Sequence, residues 1–233
     1  MASAPPLAID ARDVARRFDT TWVLRGVTLT VAPGEVVGLL GANGSGKSTM
    51  LRIVSTLLRP HAGSVRVLGH DVVKEPEEVR ARIGFLAHSP GLYDDLTVRE
   101  NLMFAAAMLD RHSRDVCQVL ERVGLTHVAG DAARGISSGL KRRLALARVI
   151  LVQPRLLLLD EPYSNLDTSG IELVNSLIAE WTNDGVAALV VVHELTPAAG
   201  ILNRTVTIQN GRVASERPEL SVLHAGLSSA ANG

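Results

Sequence analysis

One nine-residue stretch limits this chain to a small set of folds. Gly41-Ala42-Asn43-Gly44-Ser45-Gly46-Lys47-Ser48-Thr49 has the pattern G-x-x-x-x-G-K-[ST]. Glycines at these steps let successive backbone N–H groups turn inward and form an anion nest. Lys47 adds a compact positive charge for the β- and γ-phosphates, and the Ser48 hydroxyl is a ligand for Mg²⁺. The pattern is meaningful only between a strand and a helix. Glu35-Val36-Val37-Gly38-Leu39-Leu40 reads as a buried strand. Met50, Leu51, Ile53, Val54, Leu57 and Leu58 recur at helical spacing until Arg59-Pro60 stops them. The helix that follows points its positive end at the phosphates. A glycine-rich turn that binds nothing is the competing reading. Only three of the chain's 24 basic residues are lysines, which sets Lys47 apart.

The flanking sequence alternates in character. Leu7–Ala15 and Val23–Val31 predict two strands joined by a turn near Asp19-Thr20. Arg16-Arg17-Phe18 and Trp22 fall between them. Phe18 either stacks on a purine base or packs a sheet edge, and for Trp22 sheet packing is the stronger expectation. Gly63–Gly69 is a short strand, Asp71–Arg82 is polar and mixed, and Ile83–Leu86 is a buried strand. Thr97-Val98-Arg99-Glu100 is a capping box opening a helix through about Leu109. Asp115–Val123 and Gly139–Val152 are further helices, so residues 90–152 read as an inserted helical subdomain. Arg155–Glu161 and Val186–Val192 are fully apolar strands separated by a helix over Gly170–Asp184. Apolar strands alternating with helices predict a parallel sheet covered on both faces. Two short strands flank the turn Asn210-Gly211, and a small polar tail follows from Ser221.

Composition excludes several classes. Basic and acidic residues number 24 each, with no long basic block, which disfavours a nucleic-acid partner. A single cysteine, Cys117, rules out an internal disulfide framework. No apolar run approaches the ~20 residues that span a bilayer. Met1–Pro6 lacks the features of a signal peptide, so the expected location is cytoplasmic.

In parallel α/β sheets ligands lie beyond the carboxyl ends of strands. Asp160 and Glu161 end one apolar strand and His193 ends another. They are expected to meet the cradle in one crevice. Asp160 is assigned to Mg²⁺, directly or through water, and Glu161 to polarising the attacking water. His193 is placed to hydrogen-bond the γ-phosphate. The bland alternatives are a solvated turn at 160–161 and a satisfied histidine at a strand end.

The order and spacing of these motifs, over about Leu7 to Val213, resemble the ATP-binding subunit of ABC transporters. Gly41–Thr49 resembles the first nucleotide motif and Leu156–Glu161 the second, with Glu161 in the catalytic-base position. Ser164-Asn165-Leu166-Asp167 resembles the loop that crosses the dimer interface, and Val191-Val192-His193 the switch histidine. Ile136-Ser137-Ser138-Gly139-Leu140 lies where the family carries its signature. The resemblance implies an α/β P-loop NTPase core with a mostly parallel sheet and an N-terminal antiparallel β subdomain. It makes residues 1–220 a single ATP-binding domain. It also implies a homodimer binding ATP and Mg²⁺, in which Ser137 and Gly139 meet the nucleotide of the opposing subunit. The partner would be a transmembrane subunit, with this chain peripheral on the cytoplasmic face of the membrane.

Two departures stand out. Leu140 replaces the usual glutamine of the signature, and His88 replaces a glutamine that touches Mg²⁺ and senses the membrane partner. His88 with Pro90, the run Leu96–Leu102, the short signature and Asp160-Glu161-Pro162-Tyr163 resemble the haem-exporter ATPase of cytochrome c maturation. Exporters of drugs or lipids share most of these features. An ABC ATPase acting on DNA or ribosomes and a small-molecule P-loop kinase are the competing classes. The first commonly has a second ATPase half or a coiled-coil insert, and the second gives no reason for Ser137–Gly139.

Overall fold

The computed structural model describes residues 6–218. In chain order its main elements are β1 (Ile9–Phe18), β2 (Thr21–Val31), β3 (Val36–Leu40), α1 (Lys47–Val54), β4 (Ala62–Val67), β5 (His70–Asp71), α2 (Pro76–Arg80) and β6 (Ile83–Leu86). There follow α3 (Val98–Met108), α4 (Ser113–Arg122), α5 (Ser138–Val152), β7 (Leu156–Asp160), α6 (Thr168–Asn183), β8 (Ala187–Val191), β9 (Arg204–Gln209) and β10 (Arg212–Pro218). The expected polar tail lies outside the described residues.

Two sheets form. One is antiparallel in the order β2-β1-β4-β5, and the other has the order β10-β9-β3-β8-β7-β6. In the larger sheet every pairing is parallel except the edge hairpin of β9 and β10. The apolar strands explain why this sheet is central. Leu156 and Leu158 of β7 enter the core shared with α1 and the antiparallel sheet, while Leu157 and Leu159 enter the opposite core with α5 and α6. Successive strand residues point to opposite faces, so a strand apolar throughout must be covered twice.

The antiparallel hairpin runs further than its sequence implies. Arg16, Arg17 and Phe18 lie within β1 and Trp22 within β2, not between the strands. Register shifts along β1, beginning beside Asp13 at φ 49°, increase the twist and carry the ribbon on to the Asp19-Thr20 turn. The stretch 71–82, which shows no periodicity, contains α2. Its proline stands in the first turn with Glu77 and Glu78, and Arg80 closes the last turn. Five residues are too few for a periodic signal. α4 begins at Ser113, two residues before the expected start, with His112 at the N-cap, its backbone N–H donating to Asp115 Oδ2 at 3.1 Å.

The capping box at Thr97 forms as expected. The Glu100 amide donates to Thr97 Oγ1 at 3.1 Å, and the Thr97 amide donates to Glu100 Oε2 at 2.8 Å. The helices α3, α4 and α5 sit between β6 and β7 and share one continuous core with the sheet. Leu102, Leu120 and Leu144 belong to the same cluster as Leu157 and Val190. Among the described residues no helix is long and apolar enough to cross a membrane.

Candidate functional site

The cradle connects β3 to α1. Gly46 immediately precedes α1 in the left-handed region at φ 110°, and no side chain caps the helix. The first turn carries no acidic residue, so its N–H groups and positive end remain available to an anion. Gly41 is at φ 146°; a Cβ there would lie 2.3 Å from the Ile208 carbonyl oxygen and 2.6 Å from Ser45 Oγ. Only glycine permits that approach. Lys47 is buried, and its ammonium donates to the carbonyls of Gly41 at 2.7 Å and Ala42 at 3.0 Å. Burial pulls the Lys47 pKa down, and the charges of Glu161 and Asp160 oppose that pull. Among the described residues Ser45 Oγ is buried without a partner, a polar atom of the loop that suits phosphate oxygens.

Ser48 Oγ donates to Asp160 Oδ1 at 3.2 Å, and Asp160 is only 3% exposed. A hydroxyl beside a carboxylate is a hard-oxygen pair that fits Mg²⁺, which binds through one or two protein oxygens and keeps waters and phosphates for the rest. Among the described residues no cluster of three or more His, Cys, Asp or Glu offers an all-protein cage.

Glu161 is the most engaged side chain of the site. His193 Nε2 donates to its Oε1 at 2.5 Å. His88 Nδ1 lies 3.2 Å from its Oε2, which also accepts from Ser164 Oγ at 3.3 Å. Partial burial acts to raise the Glu161 pKa. The His193 hydrogen bond, the charges of His193 and His88, and the Ser164 hydroxyl outweigh it and hold the carboxyl below the usual range. Its backbone is left-handed at φ 53°, an uncommon conformation for a side chain of this size. The loops that carry these groups leave β3, β8 and β7, three neighbouring parallel strands. The sheet order therefore brings Lys47, His193, Asp160 and Glu161 to one edge, as expected from strand-end geometry.

Residues 24–164 match the ABC transporter family. The chain belongs to that family. It is 36% identical over 194 residues to the cytochrome c biogenesis ATP-binding export protein CcmA 2 of Cupriavidus metallidurans, covering 82% of this chain and 92% of that protein. It is equally 36% identical over 213 residues to the daunorubicin resistance ATP-binding protein DrrA3 of Streptomyces coeruleorubidus, covering 90% and 67%. A dimeric ATP-binding cassette in a post-hydrolysis state, bound to ADP and Pi, superposes with a TM-score of 0.80 at 25% identity over 90% of this chain and 98% of that one. This is therefore an ABC transporter ATP-binding subunit of the general type, in an ATP-hydrolysing family.

In this ABC subunit Ser137 caps α5 by accepting from the Leu140 amide at 3.3 Å, and it is exposed. A Cβ on Gly139 would lie 2.8 Å from the Asn165 carbonyl oxygen, so the head of α5 sits tightly on the Ser164–Asp167 loop. Among the described residues neither Ser137 nor Gly139 bonds to the subunit's own cradle. Phe18 is exposed, with the Arg16 guanidinium 4.9 Å from its ring centre. It does not line the cavity of about 560 Å³ beside Ala42–Ser45, whereas Trp22 does.

Arg142 escapes a reading of the sequence. It is 4% exposed and, among the described residues, gives its hydrogen bonds to backbone carbonyls alone. The one available signal is register: Arg142 falls on the same helical stripe as buried Ala145, Leu146 and Val149.

Proposed function

We propose that two copies of this chain close head to tail on two ATP molecules, each held between one cradle and the other subunit's Ser137–Gly139. The observation that carries the reading is the meeting of Lys47, Ser48 with Asp160, and Glu161 with His193 beyond three adjacent strand ends. Lys47 and the free N–H groups of α1 bind and neutralise the phosphates. Ser48 and Asp160 hold Mg²⁺, which supplies further charge compensation. Glu161 accepts a proton from the attacking water as its oxygen bonds to the γ-phosphorus and the bond to ADP breaks. For that, His193 must leave Glu161 Oε1 and turn to the γ-phosphate. Half a site leaves the γ-phosphate poorly matched, so ATP joins the subunits and hydrolysis separates them.

An apolar groove of about 490 Å³, lined by Phe85, Pro90, Phe104, Met108, Leu109 and Val149, opens beside the loop carrying His88. It supports docking of a transmembrane subunit, with this chain peripheral on the cytoplasmic face. For cargo we assign haem export in cytochrome c maturation, on His88 with Pro90 and the Asp160–Tyr163 run. The equal identity to a drug-resistance subunit favours a drug exporter as the second reading.

The test has two arms. Glu161→Gln with Mg-ATP should run as a dimer on size exclusion, and a monomer under saturating ATP would end the head-to-tail reading. Purification from native membranes in mild detergent identifies the partner. Cytochrome-maturation proteins support the haem assignment; a different permease without a Soret band replaces it with the second reading.

A further inference from the structure

We propose that Arg142 is a positioning residue that joins the head of α5 to the loops carrying Glu161 and His88, so that contact with the opposing nucleotide sets this subunit's own catalytic carboxylate. The inference rests on the head-to-tail dimer proposed above. Arg142 lies four residues beyond Ser138, roughly 6 Å along the helix axis. Its Nη1 donates to the carbonyls of Ala87 at 2.7 Å and His88 at 3.3 Å. Its Nη2 donates to those of Asp160 and Glu161, both at 2.5 Å, and its Nε to that of Pro162 at 3.4 Å.

Three features make this more than a packing contact. A guanidinium is a rigid planar fork, so its bonds fix the relative position of everything they touch. Here one fork holds two loops that are otherwise joined by the β6–β7 pairing and by the contact of His88 with Glu161. The second feature is what those carbonyls belong to. The peptides of residues 160–162 include Glu161, whose left-handed backbone at φ 53° needs support from its surroundings. The third is the absence of any carboxylate among the five acceptors. Among the described residues no ion pair within bonding distance is formed by Arg142; burial pulls its pKa down, and the more distant charges of Asp160 and Glu161 only oppose that pull. Gly139, against the Asn165 carbonyl, gives the same helix head a second seat on the segment that follows Glu161. A shift of α5 on engaging the opposing γ-phosphate therefore moves the 160–162 peptides with it.

Lysine keeps the charge but loses the fork; glutamine keeps two donors and loses the charge. The experiment compares Arg142→Lys and Arg142→Gln with the wild type in ATPase rate against ATP concentration, in ATP affinity of the separate subunit, and in melting temperature. Expected for a folded variant are ATP affinity within about twofold of wild type, kcat down at least tenfold, and a Hill coefficient falling to about 1. Lysine should not rescue it. Wild-type kcat and cooperativity in either variant overturn the proposal. So does a parallel loss of kcat and ATP affinity, which makes Arg142 a support of the fold only. If the wild type itself shows neither cooperativity nor an ATP-dependent dimer, the failure belongs to the dimer reading and not to Arg142.

Discussion

His193 Nε2 lies 2.5 Å from Glu161 Oε1, so the carboxylate we propose as the base is held by the residue we propose as the phosphate sensor. With His88 and Ser164 at Oε2, both carboxylate oxygens are engaged. A carboxylate held in this way is ionised at neutral pH but not free to take a proton from water. Release by His193 and action by Glu161 then become a single event.

Glu161→Gln should therefore retain ATP binding and lose hydrolysis. General-base catalysis contributes about 10²–10⁴-fold, and kcat should fall by that order. A phosphate-release assay beside an ATP-binding titration separates the two effects. Hydrolysis at the wild-type rate would remove Glu161 from the role of base.

His88 sits on the same carboxylate but is largely exposed, next to the apolar groove. His88→Gln should change basal ATPase activity less than activity stimulated by the membrane partner. Both rates, measured on the subunit alone and on the reconstituted complex, decide it. Complete loss of basal hydrolysis would show that His88 touches the chemistry itself.

The cradle was legible because it is local. Nine consecutive residues carry the glycines, the lysine and the hydroxyl, and apolar runs on each side announce a strand and a helix. Asp160, Glu161 and His193 were legible for a related reason, since each ends an apolar strand. Arg142 was hidden because its meaning is tertiary. Its acceptors lie between 18 and 55 positions away and are backbone carbonyls, which no residue type reveals. The same holds for Trp22, whose place beside the cradle depends on how far a twisted ribbon continues.

Lys47→Ala tests the cradle directly. The amine sits 2.7 Å from the Gly41 carbonyl and is the buried cation of the loop. Bonds between charged groups are worth about 1.5–3 kcal/mol each. Losing two of them should weaken ATP binding by roughly 10²-fold or more. A fluorescent-nucleotide titration reads this, and unchanged affinity would refute the cradle.

Gly41→Ala asks whether the loop geometry matters apart from its charge. The added methyl would meet the Ile208 carbonyl oxygen at 2.3 Å, backbone against side chain, at a φ of 146°. The loop must move, so nucleotide affinity should fall even though Lys47 is intact. The melting temperature should fall too, because β9 carries Ile208 in the central sheet. Normal binding by this variant would show that the loop adapts without cost.

Acid should destabilise the protein, with Glu100 as a separable contributor. The Glu100 carboxyl is held below its usual 4.5 by the Thr97 backbone N–H first and by the Thr97 hydroxyl second. Asp167 is held below its usual 3.8 by the Gly170 N–H, by Ser169 and by Arg143. A depressed folded-state pKa means that the unfolded chain binds more protons in this range. The stabilisation is fully present above about pH 4.5 and is lost as pH falls through the folded-state values. Glutamine also completes a capping box, so Glu100→Gln should melt near the wild type at pH 7. Below pH 4.5 its melting temperature should fall less steeply than that of the wild type. Parallel melting curves across that range would show that the Thr97–Glu100 box does not link proton binding to folding.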